Sequence, residues 1–202
     1  MNRLKLSLLL AWTGLLVGCT SGYTGTNNLN PDLKMSANTR STVLVYSQLA
    51  EGGMSRVFFR DATQVNAKAA FTETVFHPMH SPELTEGGFQ GGLKVLSVIG
   101  KELDFFLWHW QDAKGVLVGN NWAGQVEIKA GQVVYLGRIL ISQKDGVAHL
   151  SVVDRAEEDL TKFKAAYPHL REVETVKILL PSEFVEEPID PAAPKEEAAG
   201  TF

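Results

Sequence analysis

The chain is 202 residues long, with 19 basic and 23 acidic side chains and a formal charge of −4. That balance, with no basic stripe, excludes the electrostatic footprint of a nucleic-acid binder. The single cysteine excludes an intrachain disulfide, so a domain of this length must hold together by burying apolar surface.

Arg3 and Lys5 precede an apolar run over residues 6–17. The run is shorter than the roughly 20 residues a spanning helix needs, and its positive-then-apolar layout is that of a secretory signal. It ends in Leu16-Val17-Gly18-Cys19, which resembles the lipobox of bacterial lipoproteins. The resemblance implies that residues 1–18 are removed and that Cys19 carries two acyl chains on sulfur, usually with a third on the new amine. Each buried CH₂ contributes about 0.8 kcal/mol and a single chain holds only marginally, so such a multiple anchor is stable. By the same resemblance, Thr20 after the cysteine implies the outer rather than the inner membrane of the cell envelope. Loss of Arg3 and Lys5 moves the formal charge from −4 to −6. Residues 19–40, rich in Ser, Thr, Gly and Asn, read as a flexible tether.

Residues 42–49 alternate and are rich in β-branched side chains, Glu51-Gly52-Gly53 has turn chemistry, and 54–60 reads as the returning strand. The pattern over 61–76 fits no single period. Residues 77–92, rich in Pro and then Gly, read as a long loop ending in Gly87-Gly88-Phe89-Gln90-Gly91-Gly92. The next strand pair is predicted at 93–99 and 103–111, followed by a short strand at 116–118 and a turn at Asn120-Asn121. A strand at 125–129, a tight turn at Ala130-Gly131 and a long strand at 132–142 follow. Lys144-Asp145-Gly146 then turns the chain into 147–153. Asp154 and Glu157 have capping-box spacing, and Ala156, Leu160, Phe163 and Tyr167 share one helical face. Glu158 and Lys162 stand four apart as a stabilising pair, Pro168 ends the helix, and 172–180 alternates again as a last strand.

Short strands between turns predict a mainly β protein, an antiparallel β-sandwich over residues 41–181 with one amphipathic helix near its C-terminal end. Residues 182–202 read as a disordered tail, with Pro188, Pro191 and Pro194 three apart among Ala and Glu. Glu183, Glu186, Glu187, Asp190, Glu196 and Glu197 against Lys195 give that tail a formal charge of −5.

The run from Ile128 through Lys129-Ala130-Gly131 to Tyr135 and Gly137 precedes Asp154, an acidic helix with Phe163, and Tyr167-Pro168. Over residues 125–180 this resembles a loose group of bacterial lipoproteins. The resemblance implies a small β-sandwich with one helix and an envelope address, and it implies no chemistry.

His77-Pro78-Met79-His80 combines imidazole and thioether, ligands that suit copper. His77 and His80 are the candidate metal ligands, although two imidazoles fall short of a full ligand set and exposed loop residues are the simpler reading. In the strand at 103–111, Leu103, Phe105, Leu107 and His109 point one way, and Asp104, Phe106, Trp108 and Trp110 the other. Both faces are largely apolar, which predicts a strand covered on one side by a second sheet and on the other by the helix. Phe106 and Trp108 are then core. Trp110 and Trp122 are the candidate ligand-binding pair, an aromatic platform for sugars or peptides.

Catalytic signatures are sparse. There is no Gly-x-Ser-x-Gly elbow, no cysteine besides Cys19, and the Gly-rich stretch lacks the lysine and following helix of a phosphate loop. Glu157-Glu158-Asp159 fits a solvated helix face near the positive end of the dipole. No cofactor is implied. The expectation is a non-enzymatic envelope lipoprotein, held to the membrane through Cys19, that binds or assembles with another envelope protein. The alternative is a small-ligand (glycan or peptide) or metal binder.

Overall fold

The computed structural model describes Met35 and residues 40–62, 71–77, 82–115, 117–144 and 147–184. The signal segment, Cys19, His80, nearly all of the expected tether and the tail past Phe184 lie outside the described residues.

The first strand, β1 (Ser41–Glu51), is buried at every position from Ser41 to Ala50. A strand buried on both sides needs a cover on each, and two apolar clusters supply them. Leu44, Tyr46 and Ala50 face a core shared with a second sheet. Val43 and Val45 face a smaller cluster containing Phe163 and Leu170. Beside β1 lie β5 (Phe89–Ile99), antiparallel, and β8 (Val133–Lys144), parallel. The sheet continues past β8 to β9 (Val147–Val153) and β11 (Glu183–Phe184), and past β5 to β4 (Leu84–Glu86). A seventh strand, β10 (Thr175–Lys177), runs parallel to β8 at Val133–Tyr135. The opposing four-stranded sheet has the order β3 (Thr72–Phe76), β2 (Met54–Asp61), β6 (Glu102–Gln111), β7 (Leu117–Glu127), with every pair antiparallel. Helix α1 (Ala156–Ala166) lies on the outer face of the seven-stranded sheet, with Phe163 buried and Ala156, Leu160 and Tyr167 packed beside it.

The architecture is thus the expected β-sandwich with one helix near its C-terminal end, on the face of periodicity predicted. It is not purely antiparallel, because β1 and β10 both run parallel to β8. The partners of the strands also differ from the sequence expectation. Gly52-Gly53 was expected to close a hairpin, yet β1 and β2 belong to different sheets. The corners between β5 and β6 and between β7 and β8 likewise carry the chain from one sheet to the other. A hairpin and a sandwich corner both use glycine, so turn chemistry alone does not distinguish them. At Gly53 the reason is steric, since a Cβ there would lie 2.5 Å from the Trp110 indole.

The expected loop over 77–92 contains a hairpin. Gly87 and Gly88 form its tip with φ of 52° and 95°, and Gly91 and Gly92 lie inside β5. A Cβ on Gly91 would come within 2.0 Å of the Gln48 carbonyl oxygen on β1. Glycine here permits close strand approach. Asn120-Asn121 is no turn: β7 runs straight through it as an edge strand with both residues exposed. Of the last predicted strand only β10 pairs, after which Ile178 and Leu180 donate backbone hydrogen bonds to Tyr135 and Leu136 on β8. The helix begins differently as well. Arg155 takes the N-cap position without a side-chain bond, while Asp154 accepts from the Ala156 N–H at 3.0 Å.

A buried polar seam joins the sheets between β1, β2 and β3. The Tyr46 and Thr74 hydroxyls lie 2.6 Å apart, and the Gln48 amide donates to Ser55 and accepts from Thr74. Gly91→Ala is expected to lower stability by about 1–3 kcal/mol, because the clash is with backbone and cannot relax by rotamer change. Chemical denaturation checks this, and an unchanged midpoint would contradict the β1–β5 packing.

Candidate functional site

The site begins with a β-bulge. On β6 the buried positions are Leu103 and Phe105, then Trp108 and Trp110. The alternation slips by one because Phe106 is an extra residue relative to β2, where Phe58 pairs with Leu107 and Phe59 with Phe105. Strand β7 carries a matching irregularity opposite, between its pairings with Phe105 and Leu107. Such bulges re-aim side chains. This one puts Trp108 and Trp110 into the core and turns Phe106 and His109 outward.

The proposed platform of Trp110 and Trp122 is therefore corrected. Trp110 is 7% exposed and Trp122 3% exposed, both in the main core. Their indole N–H groups donate to the Glu51 and Pro181 carbonyls at 2.9 and 3.1 Å. Phe106, expected in the core, is half-buried on the outer face. The helix does not cover β6 either, since it packs on the sheet containing β1.

What the slip creates is an aromatic patch on the open face of the four-stranded sheet. Phe58, Phe71 and Phe106 form a triangle with ring centroids 5.9, 6.4 and 6.4 Å apart. His109 meets Phe58 edge-on at 5.2 Å. Phe71 is 58% exposed, the most open ring of the group. The Arg60 guanidinium lies 4.7 Å over the Phe106 ring while its Nε and Nη2 donate to Asp104 at 3.0 and 2.9 Å. Gly119 on β7 makes room beside it, because a Cβ there would approach the His109 ring to 2.4 Å. Burial first, and then the charge of Arg56, hold His109 below its ordinary value of 6.5, so the imidazole is neutral at pH 7. Next to Phe106 a groove of about 500 Å³ is lined by Arg60, Asp104, Asn121, Trp122, Ala123 and Gln125, so Trp122 lies at its floor although its indole is buried. Aromatic rings with arginine are the combination that interfaces concentrate.

The opposite face is closed by a buried ionic cluster that the sequence reading missed. Arg138 on β8 is 2% exposed. It donates to Glu86 at 2.9 Å, to Glu158 at 2.8 Å and to Asp159 at 2.5 Å. Asp159 is fully buried and also accepts from the Tyr135 hydroxyl at 2.9 Å. Arg155 pairs with Glu86. The acidic run on α1 is thus not a wholly solvated face, and Glu158 pairs with Arg138 while Lys162 donates to the Glu83 carbonyl. One signal was available: Arg138 is the single charge within an otherwise apolar stretch of β8 at 133–141. Burial pushes the Glu86 carboxyl up, but the hydrogen bonds and charges of Arg155 and Arg138 outweigh it and hold the carboxyl below its ordinary 4.5.

Of the copper candidates, His77 follows β3 and is half-buried, and His80 lies outside the described residues. Among the described residues no group of three or more His, Cys, Asp or Glu side chains could hold a metal. No helix among them is long and apolar enough to cross a membrane. Comparison with protein-family models and with curated proteins finds no match for the chain.

Core and surface aromatics should separate in a denaturation series. Trp122→Ala is expected to cost about 3–5 kcal/mol, and Phe71→Ser about 0.5 kcal/mol or less. Arg138→Ala should cost about 3–5 kcal/mol, because it leaves Asp159 buried without its counter-charge. A carboxyl depressed in the folded chain contributes stability above its unfolded value and loses it as pH falls through the lower folded value. Stability should therefore drop below pH 4.5, and Glu86→Gln should make that drop shallower in denaturation midpoints measured across the acid range. An equal slope in the variant would contradict the depressed Glu86.

Proposed function

We propose that this chain is a non-enzymatic envelope lipoprotein, tethered to the outer membrane through Cys19, that binds another envelope protein with the open face of its four-stranded sheet. The observation that carries the reading is the patch in which Phe71, Phe106 and His109 ring the buried Phe58, on a face that no described element covers, while α1 covers the other outer face. Exposed aromatic surface of this kind marks interaction sites on soluble domains. Arg60 and Asp104 beside it supply paired charge at the rim. The groove next to Phe106 fits an extended segment carrying an aromatic or proline side chain, with Asn121 and Gln125 at hand for its backbone.

A second reading rests on the same groove. Phe106 with Asp104, Asn121 and Gln125 is also the chemistry that holds a sugar ring, an apolar face stacked and hydroxyls bonded at the edge. The two separate experimentally.

Crosslinking in intact cells, followed by purification of the tagged full chain, should recover a specific envelope protein. Phe71→Glu should reduce that yield about tenfold or more at unchanged stability. Cys19→Ser should move the chain out of the membrane fraction. Unaltered recovery with Phe71→Glu would remove the face from the interface. Saturable binding of glycan fragments, lost in Asn121→Ala, would favour the sugar reading instead.

A further inference from the structure

The two sheets part at the end of the sandwich where the chain enters. The corner at residues 99–102, the corner at 127–132 and β10 surround a cleft of about 1050 Å³. Ile99, Val176 and Ile178 form its accessible walls, with the buried Ile128 and Val134 closing it from beneath; all five are branched aliphatics, and no aromatic ring lines it among the described residues. Ile99 at the mouth is 73% exposed. The rim carries three cations, Arg40, Lys101 and Lys129, and three anions, Glu102, Glu127 and Glu174.

The opening is held by its frame. Ile128 N–H donates to the Lys101 carbonyl at 2.8 Å, tying one corner to the other. The Thr42 hydroxyl donates to the Lys129 carbonyl at 2.8 Å, and Gly131 N–H to the Ser41 carbonyl at 2.9 Å. Gln132 donates to Glu174 at 2.9 Å, fixing the approach to β10. Collapse of the aliphatic walls onto one another would cost these bonds. Apolar walls without rings give a planar ligand nothing to stack on, whereas a flexible hydrocarbon chain satisfies them by area alone.

We infer that this cleft takes one acyl chain of a zwitterionic phospholipid from the membrane that carries the anchor. The inference rests on the lipid-anchor reading for the source of the lipid. The chain passes into the sandwich through Arg40, on the cleft rim. The stretch from Cys19 to Arg40 spans at most about 75 Å fully extended, which leaves the cleft within reach of the bilayer. Equal numbers of cations and anions at the mouth complement a head group that carries one of each. Ile99, beyond the rim, is placed to meet the lipid first.

Isoleucine-methyl NMR of the full chain carrying Cys19→Ser, titrated with a short-chain phosphatidylcholine below its micelle concentration, tests this. Saturable shifts are expected at Ile99, Ile128 and Ile178 while the core methyls of Ile139 and Ile141 stay fixed. Ile99→Asp, at an exposed position outside the core, and Val176→Asp should each weaken binding about tenfold or more. No saturable shift, shifts unaltered by both substitutions, or tighter binding of an anionic analogue would overturn the inference. Flotation of the wild-type chain with membranes reports separately on the anchor, so a failed anchor and an empty cleft are distinguishable.

Discussion

Burial of β1 on both faces is the constraint on which the rest of the molecule depends. Ten consecutive buried residues in one strand leave no solvated side, so one sheet face must be covered by another sheet and the other by something else. The four-stranded sheet supplies the first cover and α1 the second. With one α-helix among the described residues, no described element covers the outer face of the four-stranded sheet. Its aromatic patch follows from where the helix was spent.

The helix is held by charge as well as by apolar contact. Phe163 and Leu170 bury area, but Arg138 fixes position, meeting α1 at Glu158 and Asp159 and β4 at Glu86. A buried ionic cluster of this sort contributes little net stability relative to a well-packed apolar one, yet breaking it is costly. It specifies one docking of the helix. The Gly87-Gly88 hairpin matters for the same reason, since it delivers Glu86 to the cluster. Elements that look peripheral along the chain thus converge on the closed face, and the open face is left to the bulged strands β6 and β7.

Strand positions, the helix and its buried stripe were legible because they depend on local periodicity and on Gly and Pro chemistry. Which strands pair was not. The Gly52-Gly53 and Ala130-Gly131 turns read as hairpins, and a sandwich corner differs from a hairpin only in what lies tens of residues away. The site failed on one residue. Strict alternation from Leu103 to Gln111 assigns Trp110 to a face with Phe106, and the extra residue at Phe106 reverses that assignment for everything after it. Two apolar faces on one strand were the trace of this slip, and a bulge explains them as well as double coverage does. Arg138 was visible as a charge in an apolar strand, but its partners sit 20, 21 and 52 residues away.

Hydroxyl-radical footprinting of the folded full chain reads the assignment of faces most directly. Phe71, Phe106 and the edge of His109 are expected to oxidise readily, with Trp108, Trp110 and Trp122 protected until the chain unfolds. Oxidation of Trp110 and Trp122 at the rate of Phe71, with Phe106 protected, would restore unbroken alternation on β6 and contradict the open aromatic face.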